Sequence, residues 1–216
     1  MGSVLDKAMG RVQQLMGHPF VYDVIRPLAV GGVDLSPLYD QIRDPDAVIL
    51  DVGCGTGSAL RYLQQFRSYV GMDTDPVAIE HARSRHASSR VSFSTQICTP
   101  ADVRRVQPTD VVLAGVLHHL SDEEAIGLLS SLPESPRLQQ VLTADIVFLP
   151  GHPLGNLLAS LDRGRFCRSE QGYLELVRRS RLRVRSSFVA RSSPVTGLAK
   201  YLYLTLGPAP AGDDGA

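Results

Sequence analysis

Two hydrophobic periods alternate along this chain. Val48-Ile49-Leu50-Asp51-Val52 is an apolar run broken by one acid, the pattern of a strand buried on both faces. Asp110 to Ala114 and Gln140 to Val147 repeat that pattern, and Tyr69 to Met72 and Val91 to Phe93 are shorter versions of it. Helical signals lie between these strands. They are Ser58 to Leu63, Pro76 to His86 with proline in its first turn, and a Ser121–Glu124 capping box opening a helix through Leu129. Further on, Leu154 to Asp162 follows Pro153, and Ser169 caps a helix from Glu170 to about Arg179. The two-residue period returns in Leu182 to Ala190, where Leu182, Val184, Ser186 and Phe188 alternate with Arg183, Arg185, Ser187 and Val189. Leu198 to Leu206 is apolar with Tyr201, Tyr203 and Thr205 interleaved, which predicts an antiparallel pair turning near Ser193-Pro194.

Upstream of the first strand the period is helical. Val4, Leu5, Ala8, Met9, Val12, Leu15 and Met16 share one side, and Phe20 to Leu28 can form a second short helix. Ser36-Pro37 starts a third helix carrying Leu38, Tyr39 and Ile42. This order predicts a helical leader over 1–46 acting as a lid, an α/β domain over 47–207 and a flexible tail over 208–216. The domain is expected to be an open, mostly parallel sheet of seven strands with helices on both faces and an antiparallel C-terminal pair. Ligands then bind at the carboxyl ends of the strands.

Composition narrows the function. The 216 residues fit one domain, and 22 basic against 22 acidic residues give no drive towards nucleic acid or anionic membrane. Three widely spaced cysteines, Cys54, Cys98 and Cys167, suggest neither a disulfide framework nor a metal cluster. With no long apolar segment in the sequence, a cytoplasmic protein without membrane contact is expected, as monomer or homodimer.

The chemistry starts where the first strand ends. Gly53, Gly55 and Gly57 let the backbone turn tightly and approach a ligand closely. Asp73 follows 16 to 20 residues later at the tip of the next strand, where a carboxylate can accept both hydroxyls of a ribose. The glycines run G-x-G-x-G and not in the G-x-G-x-x-G order of dinucleotide binders. Together, Asp51-Val-Gly-Cys-Gly-Thr-Gly57, Gly71-Met-Asp-Thr-Asp-Pro76 and Asp110-Val-Val-Leu-Ala-Gly-Val-Leu-His-His-Leu120 resemble the class I S-adenosylmethionine-dependent methyltransferases, of the small seven-stranded, metabolite-modifying type. The resemblance implies S-adenosylmethionine as cofactor and S-adenosylhomocysteine as product. It implies that Asp51, Gly53, Cys54, Gly55, Gly57, Asp73, Thr74, Gln96, Ile97 and Ala114 line its site. Asp51 would attract the cofactor's ammonium group and Asp73 would hold the ribose. The chain departs from the family after the third strand, where no acid precedes Asp102; Gln96 or a backbone carbonyl is expected to take the adenine contact, or Ile97 only to cover the ring. Asp102 is a candidate for the same loop.

Methyl transfer from a sulfonium requires alignment in a dry pocket, and a base only if the nucleophile must lose a proton. His119 and His118, after the fourth strand, are the candidate bases. His18, Tyr22, Tyr39, His152, Arg163, Arg168 and Tyr173 are candidates for the acceptor pocket, with arginine forks suited to a carboxylate or phosphate. The arginines from Arg178 to Arg185 read as a solvated face more readily than as a nucleic-acid patch. A small acceptor, acidic or aromatic, methylated on oxygen is the first reading, and the resemblance places it in bacterial secondary metabolism. The alternatives are non-methylating chemistry on the same cofactor, RNA methylation, or a non-catalytic partner subunit.

Overall fold

The computed structural model describes residues 33–153, 156, 165–191 and 199–210. Five parallel strands come first in the sheet: β1 (Val48–Val52), β2 (Ser68–Asp73), β3 (Val91–Thr95), β4 (Asp110–Ala114) and β5 (Gln140–Phe148). A two-residue strand, β6 (Arg168–Ser169), pairs with the end of β5. The last two strands, β7 (Leu182–Arg191) and β8 (Lys200–Pro208), are antiparallel, and β8 lies against β5. The path through the sheet is β3-β2-β1-β4-β5-β8-β7, with β6 off it, so the seven expected strands are present and one short strand is added. β1 sits at the centre between β2 and β4, and all five of its residues are buried. The switch from β1 to β2 on one side and β4 on the other opens a crevice above its carboxyl end.

The strand period sorts the core into two layers. Ile49, Tyr69, Phe93, Val112, Leu142 and Tyr203 face one side, under α1 (Ser36–Tyr39), a 3₁₀ turn at Ser58–Tyr62 and α2 (Pro76–His86). Leu50, Met72, Val111, Leu113, Val141 and Leu204 face the other, under α3 (Pro100–Val106), α4 (Asp122–Ser131) and α5 (Glu170–Arg178). Met72 is therefore a core residue, 1% exposed.

Three expectations need correction. The helix expected over Ser58 to Leu63 is five residues of 3₁₀ turn, because Leu63 is already extended and β2 starts at Ser68. Conversely, the stretch containing Asp102 is not loop. Thr99 and Asp102 form a capping box, with Pro100 in the first turn, and open α3. The sequence carries the capping signal as Thr-Pro-Ala-Asp, but a helix of seven residues shows little periodicity beyond it. Finally, the described end of the leader is built into the domain. Leu38, Tyr39 and Ile42 are buried, Tyr203 Oη donates to the Asp34 carbonyl at 2.6 Å, and Thr205 Oγ1 donates to Gln41 Oε1 at 2.7 Å. Residues 1–32, the expected helix over Leu154 to Asp162, the turn at Ser193-Pro194 and most of the tail lie outside the described residues.

Gly71 shows how tightly the first layer is packed beneath the crevice. A Cβ there would meet the Phe93 ring at 2.7 Å and Cys54 Sγ at 2.8 Å. Both neighbours are themselves buried, so neither can move away cheaply. We expect Gly71→Ala to destabilise the fold by about 1–3 kcal/mol. Urea unfolding at an unchanged m-value would measure it, and a midpoint equal to wild type would show that the layer is looser than it looks.

Candidate functional site

Three strand ends converge above β1. The turn after β1 holds Gly53, Gly55 and Gly57 at φ +74°, +53° and +73°, a left-handed region that disfavours side chains. The glycines differ in what surrounds them. A Cβ on Gly53 would strike Val116 Cγ2 at 2.6 Å, and one on Gly57 would touch the Phe93 ring at 3.0 Å, whereas a Cβ on Gly55 would meet nothing within 4 Å. Gly55 thus faces open space at the centre of the turn. Its N–H donates to Asp73 Oδ2 at 2.8 Å, and Asp73 Oδ1 accepts from Asp75 N–H at 2.9 Å. The carboxylate at the tip of β2 is fixed by two backbone donors beside the glycine turn. The turn itself is pinned to β2 by Gly53 and Cys54, whose N–H groups both donate to the Met72 carbonyl.

Asp51 lies inside this frame and not at its mouth. It is 1% exposed, and its Oδ2 accepts from Tyr69 Oη at 2.6 Å and from Tyr39 Oη at 3.3 Å. Burial pushes its carboxyl up, the two tyrosine hydroxyls hold it partly down, and nearby Asp73 adds a further push, leaving it at about 7. Removing a carboxylate from water costs several kcal/mol, and two hydrogen bonds to it, at roughly 1.5–3 kcal/mol each, offset only part of that. Burial also raises the Cys54 thiol beside it, so Cys54 stays neutral.

The rim carries the other candidates. Thr74 and Ile97 are exposed, Ile97 at 73%, an unusual amount for a large aliphatic side chain. Gln96 is also exposed, and its N–H donates to the Asp73 carbonyl at 2.9 Å, which brings the ends of β2 and β3 together. Ala114 ends β4 half-buried, and Gly115 follows at φ +74°.

On the β4–β5 side the two adjacent histidines are separated by environment. His118 is buried, with Nδ1 2.8 Å from Asp145 Oδ1 and its backbone N–H donating to the same oxygen at 3.1 Å. His119 is exposed, and its ring lies 4.2 Å from that of His118. The two candidate bases are therefore not equivalent, since His118 is withdrawn into the core and His119 is exposed. The 3₁₀ turn Leu117–His119 directs one ring into the second core layer, where Asp145 receives it, and leaves the other outside. His152 is exposed in the loop after β5.

Arg168 was expected to bind an acceptor anion, but its guanidinium is already committed. Nε and Nη2 reach Asp122 Oδ1 at 2.9 and 2.7 Å, Nη2 also donates to the Leu120 carbonyl, and Nη1 donates to the carbonyls of Leu117 and Phe166. All five donors are used, so the residue clamps the histidine turn to β6. Tyr173 is likewise a core residue, 1% exposed, with its hydroxyl donating to the Ile146 carbonyl at 2.9 Å. Tyr39 is buried against Asp51 and stacks on Tyr62. His18, Tyr22 and Arg163 lie outside the described residues. Two residues of this region, Tyr69 and Asp145, were read from the sequence only as strand. Their partners become visible only when β1 is set against β2 and the turn after β4 against β5.

Residues 49–134 match a family model described as a methyltransferase domain. Among curated proteins, none matches the chain in sequence. Among solved structures, mitomycin 7-O-methyltransferase is similar at TM-score 0.57 and 19% identity, over 83% of this chain and 52% of that one. The chain thus spans about half the length of that enzyme. An S-adenosylmethionine-dependent methyltransferase from Methanosarcina mazei is similar at 0.60 and 14% identity, over 82% and 99% of the two chains. Magnesium protoporphyrin IX methyltransferase from Synechocystis, solved with bound S-adenosylmethionine, is similar at 0.56 and 17%, over 81% and 76%. These likenesses show the fold. The residues present fit that cofactor: the open space at Gly55, the fixed Asp73 carboxylate and the buried Asp51 suit a ribose and an ammonium group.

Asp51 gives the site a pH dependence. An ammonium-bearing ligand favours the ionised carboxylate, so binding should strengthen as pH rises through about 7. We expect affinity for S-adenosylhomocysteine, measured by titration calorimetry, to rise about tenfold from pH 6 to pH 8, with proton release on binding. In the unliganded fold the sign is reversed. A raised carboxyl stabilises fully below its unfolded value, and that contribution is lost as pH climbs towards 7. Binding that is flat across this range would show that Asp51 is not the ammonium's partner.

Proposed function

We propose that this chain, which matches a methyltransferase-domain model over residues 49–134, is a class I S-adenosylmethionine-dependent enzyme that transfers a methyl group to a small-molecule acceptor, with an oxygen nucleophile as first choice. The observation that carries this reading is the pairing of an open glycine turn with the fixed Asp73 carboxylate at the β1–β2 crevice. S-Adenosylmethionine, when bound, supplies a methyl on a positively charged sulfur that departs as a neutral thioether. Asp73 is suited to the ribose hydroxyls, Asp51 to the ammonium, and exposed Ile97 to covering the adenine face.

The acceptor side favours a hydroxyl. A hydroxyl nucleophile must shed a proton as its oxygen bonds to carbon, and His119 stands exposed at the end of β4 beside the anchored His118. Arg168 and Asp145 hold the turn that presents it, so the ring's position is set by the fold. Of the arginines named for acceptor binding, Arg163 remains a candidate and Arg168 does not.

Incubation with methyl-labelled cofactor and a panel of small phenols and carboxylic acids should yield labelled product. Consumption of acceptor without label would replace transfer by a rearrangement or cyclisation on the same cofactor. His119→Ala should lower turnover by about 10²–10⁴-fold if it takes the proton, with cofactor affinity unchanged. Asp73→Asn should instead weaken cofactor binding by on the order of tenfold or more, the loss of charge-assisted hydrogen bonds.

A further inference from the structure

The Asp51 carboxylate is held in an unusual way. It projects from β1 on the face that also carries Tyr69, two positions from Gly71, its β-bridge partner in β2. Tyr69 belongs to β2, while Tyr39 comes from α1, before the first strand. Both hydroxyls donate to the same oxygen, Oδ2. Oδ1 accepts no hydrogen bond from the described residues. A buried carboxylate with one oxygen doubly bonded and the other open is a group oriented towards one further donor.

We propose that Tyr39 and Tyr69 are positioning residues for the amino-acid end of the cofactor: they grip Asp51 by Oδ2, so that Oδ1 is presented to the ammonium group. The inference rests on the reading of the crevice as an S-adenosylmethionine site. It goes further by assigning a role to two tyrosines, one of them from the leader.

The surroundings support a grip of fixed geometry. Tyr69 is fully buried, and its ring meets Phe93 edge-on at 5.7 Å and Phe66 at 6.4 Å. Tyr39 stacks on Tyr62 at 5.6 Å with planes 10° apart. Neither ring can turn away from Asp51 without opening the first core layer. Burial holds both phenols well above their ordinary range, so they remain protonated donors. The titratable groups around Asp51 are Tyr39 on α1, Tyr69 on β2, Cys54 in the glycine turn and Asp73 at the end of β2. Asp73 is the one anion among them, and it disfavours ionisation of Asp51, so the tyrosine donors and the arriving ammonium are what favour it. The arrangement also ties the leader to the site. α1 is seated by the Tyr203–Asp34 and Thr205–Gln41 hydrogen bonds, and only a seated α1 brings Tyr39 to Asp51.

Two ligands separate positioning from mere structure. S-Adenosylhomocysteine carries the amino-acid end, and 5′-methylthioadenosine keeps adenine and ribose without it. Tyr69→Phe removes the 2.6 Å donor and Tyr39→Phe the 3.3 Å one. Titration calorimetry of the full chain should show S-adenosylhomocysteine affinity falling on the order of tenfold for Tyr69→Phe and less for Tyr39→Phe. Affinity for 5′-methylthioadenosine should be unchanged in both. The midpoint of the S-adenosylhomocysteine pH profile should move upward, because the lost hydroxyl no longer favours the ionised carboxylate. In an Asp51→Asn background neither substitution should add to the loss. Equal weakening of both ligands would make the tyrosines structural and overturn the proposal, as would S-adenosylhomocysteine affinity that does not change. If Tyr69→Phe fails to fold, Tyr39→Phe carries the test alone. Wild-type protein that binds neither ligand would overturn the cofactor reading itself, an outcome distinct from a failed variant comparison.

Discussion

A carboxylate buried in the middle of a parallel sheet is the constraint around which this structure is arranged. β1 has a neighbour on each edge and a packed layer on each face, so every other residue in it is apolar. Asp51 breaks that run one residue before the strand ends. Its charged form is tolerable only with donors nearby. The fold provides two, from elements on opposite sides of β1 in the sequence, and neither is charged. A lysine or arginine in their place would neutralise Asp51 permanently. Two neutral hydroxyls satisfy one oxygen and leave the carboxylate near its titration point.

The same constraint explains the small residues nearby. Phe93 meets the edge of Tyr69, which reaches Asp51, and Gly71 leaves the space for the Phe93 ring. Gly57 is bounded by that same ring, so the glycine turn, the aromatic layer and the acid form one packed unit. The second face is organised separately. There Asp145 receives the side chain and backbone of His118, and Arg168 gathers the carbonyls of Leu117, Leu120 and Phe166. The crevice lies between these two units.

Much of this was legible in the sequence. The buried strands were readable because an apolar run bounded by glycine or proline has few other meanings, and α2 and β4 match their expected bounds. The placement of the glycine turn and of Asp73 was readable because it is local: a backbone angle and a strand tip. The partners of Asp51 were not, because the Tyr69 contact depends on strand register and the Tyr39 contact on how α1 docks. Arg168 failed as a ligand candidate for a related reason. An arginine in a loop looks available until the carbonyls that a folded turn leaves unsatisfied are counted. His118 and His119 illustrate the limit most sharply, since two identical neighbours are sent to opposite environments by a single 3₁₀ turn.

The two sides of the crevice differ in rigidity, and that difference fits a division of labour. On the β1–β2 side the Asp73 carboxylate is fixed by backbone donors, and the Asp51 carboxylate by two tyrosines packed among other aromatics. Such a surface suits a ligand that never changes. On the β4–β5 side the anchoring groups lie below the surface, while the exposed positions, His119 and His152, stand on turns. Loops on a fixed scaffold are where specificity can vary without disturbing the fold. In-line transfer requires the donor to be held more strictly than the acceptor's remote groups, because a misplaced methyl slows the reaction with any acceptor. Under the proposed function, a rigid, layered core beneath the cofactor and turns beneath the acceptor would meet that requirement.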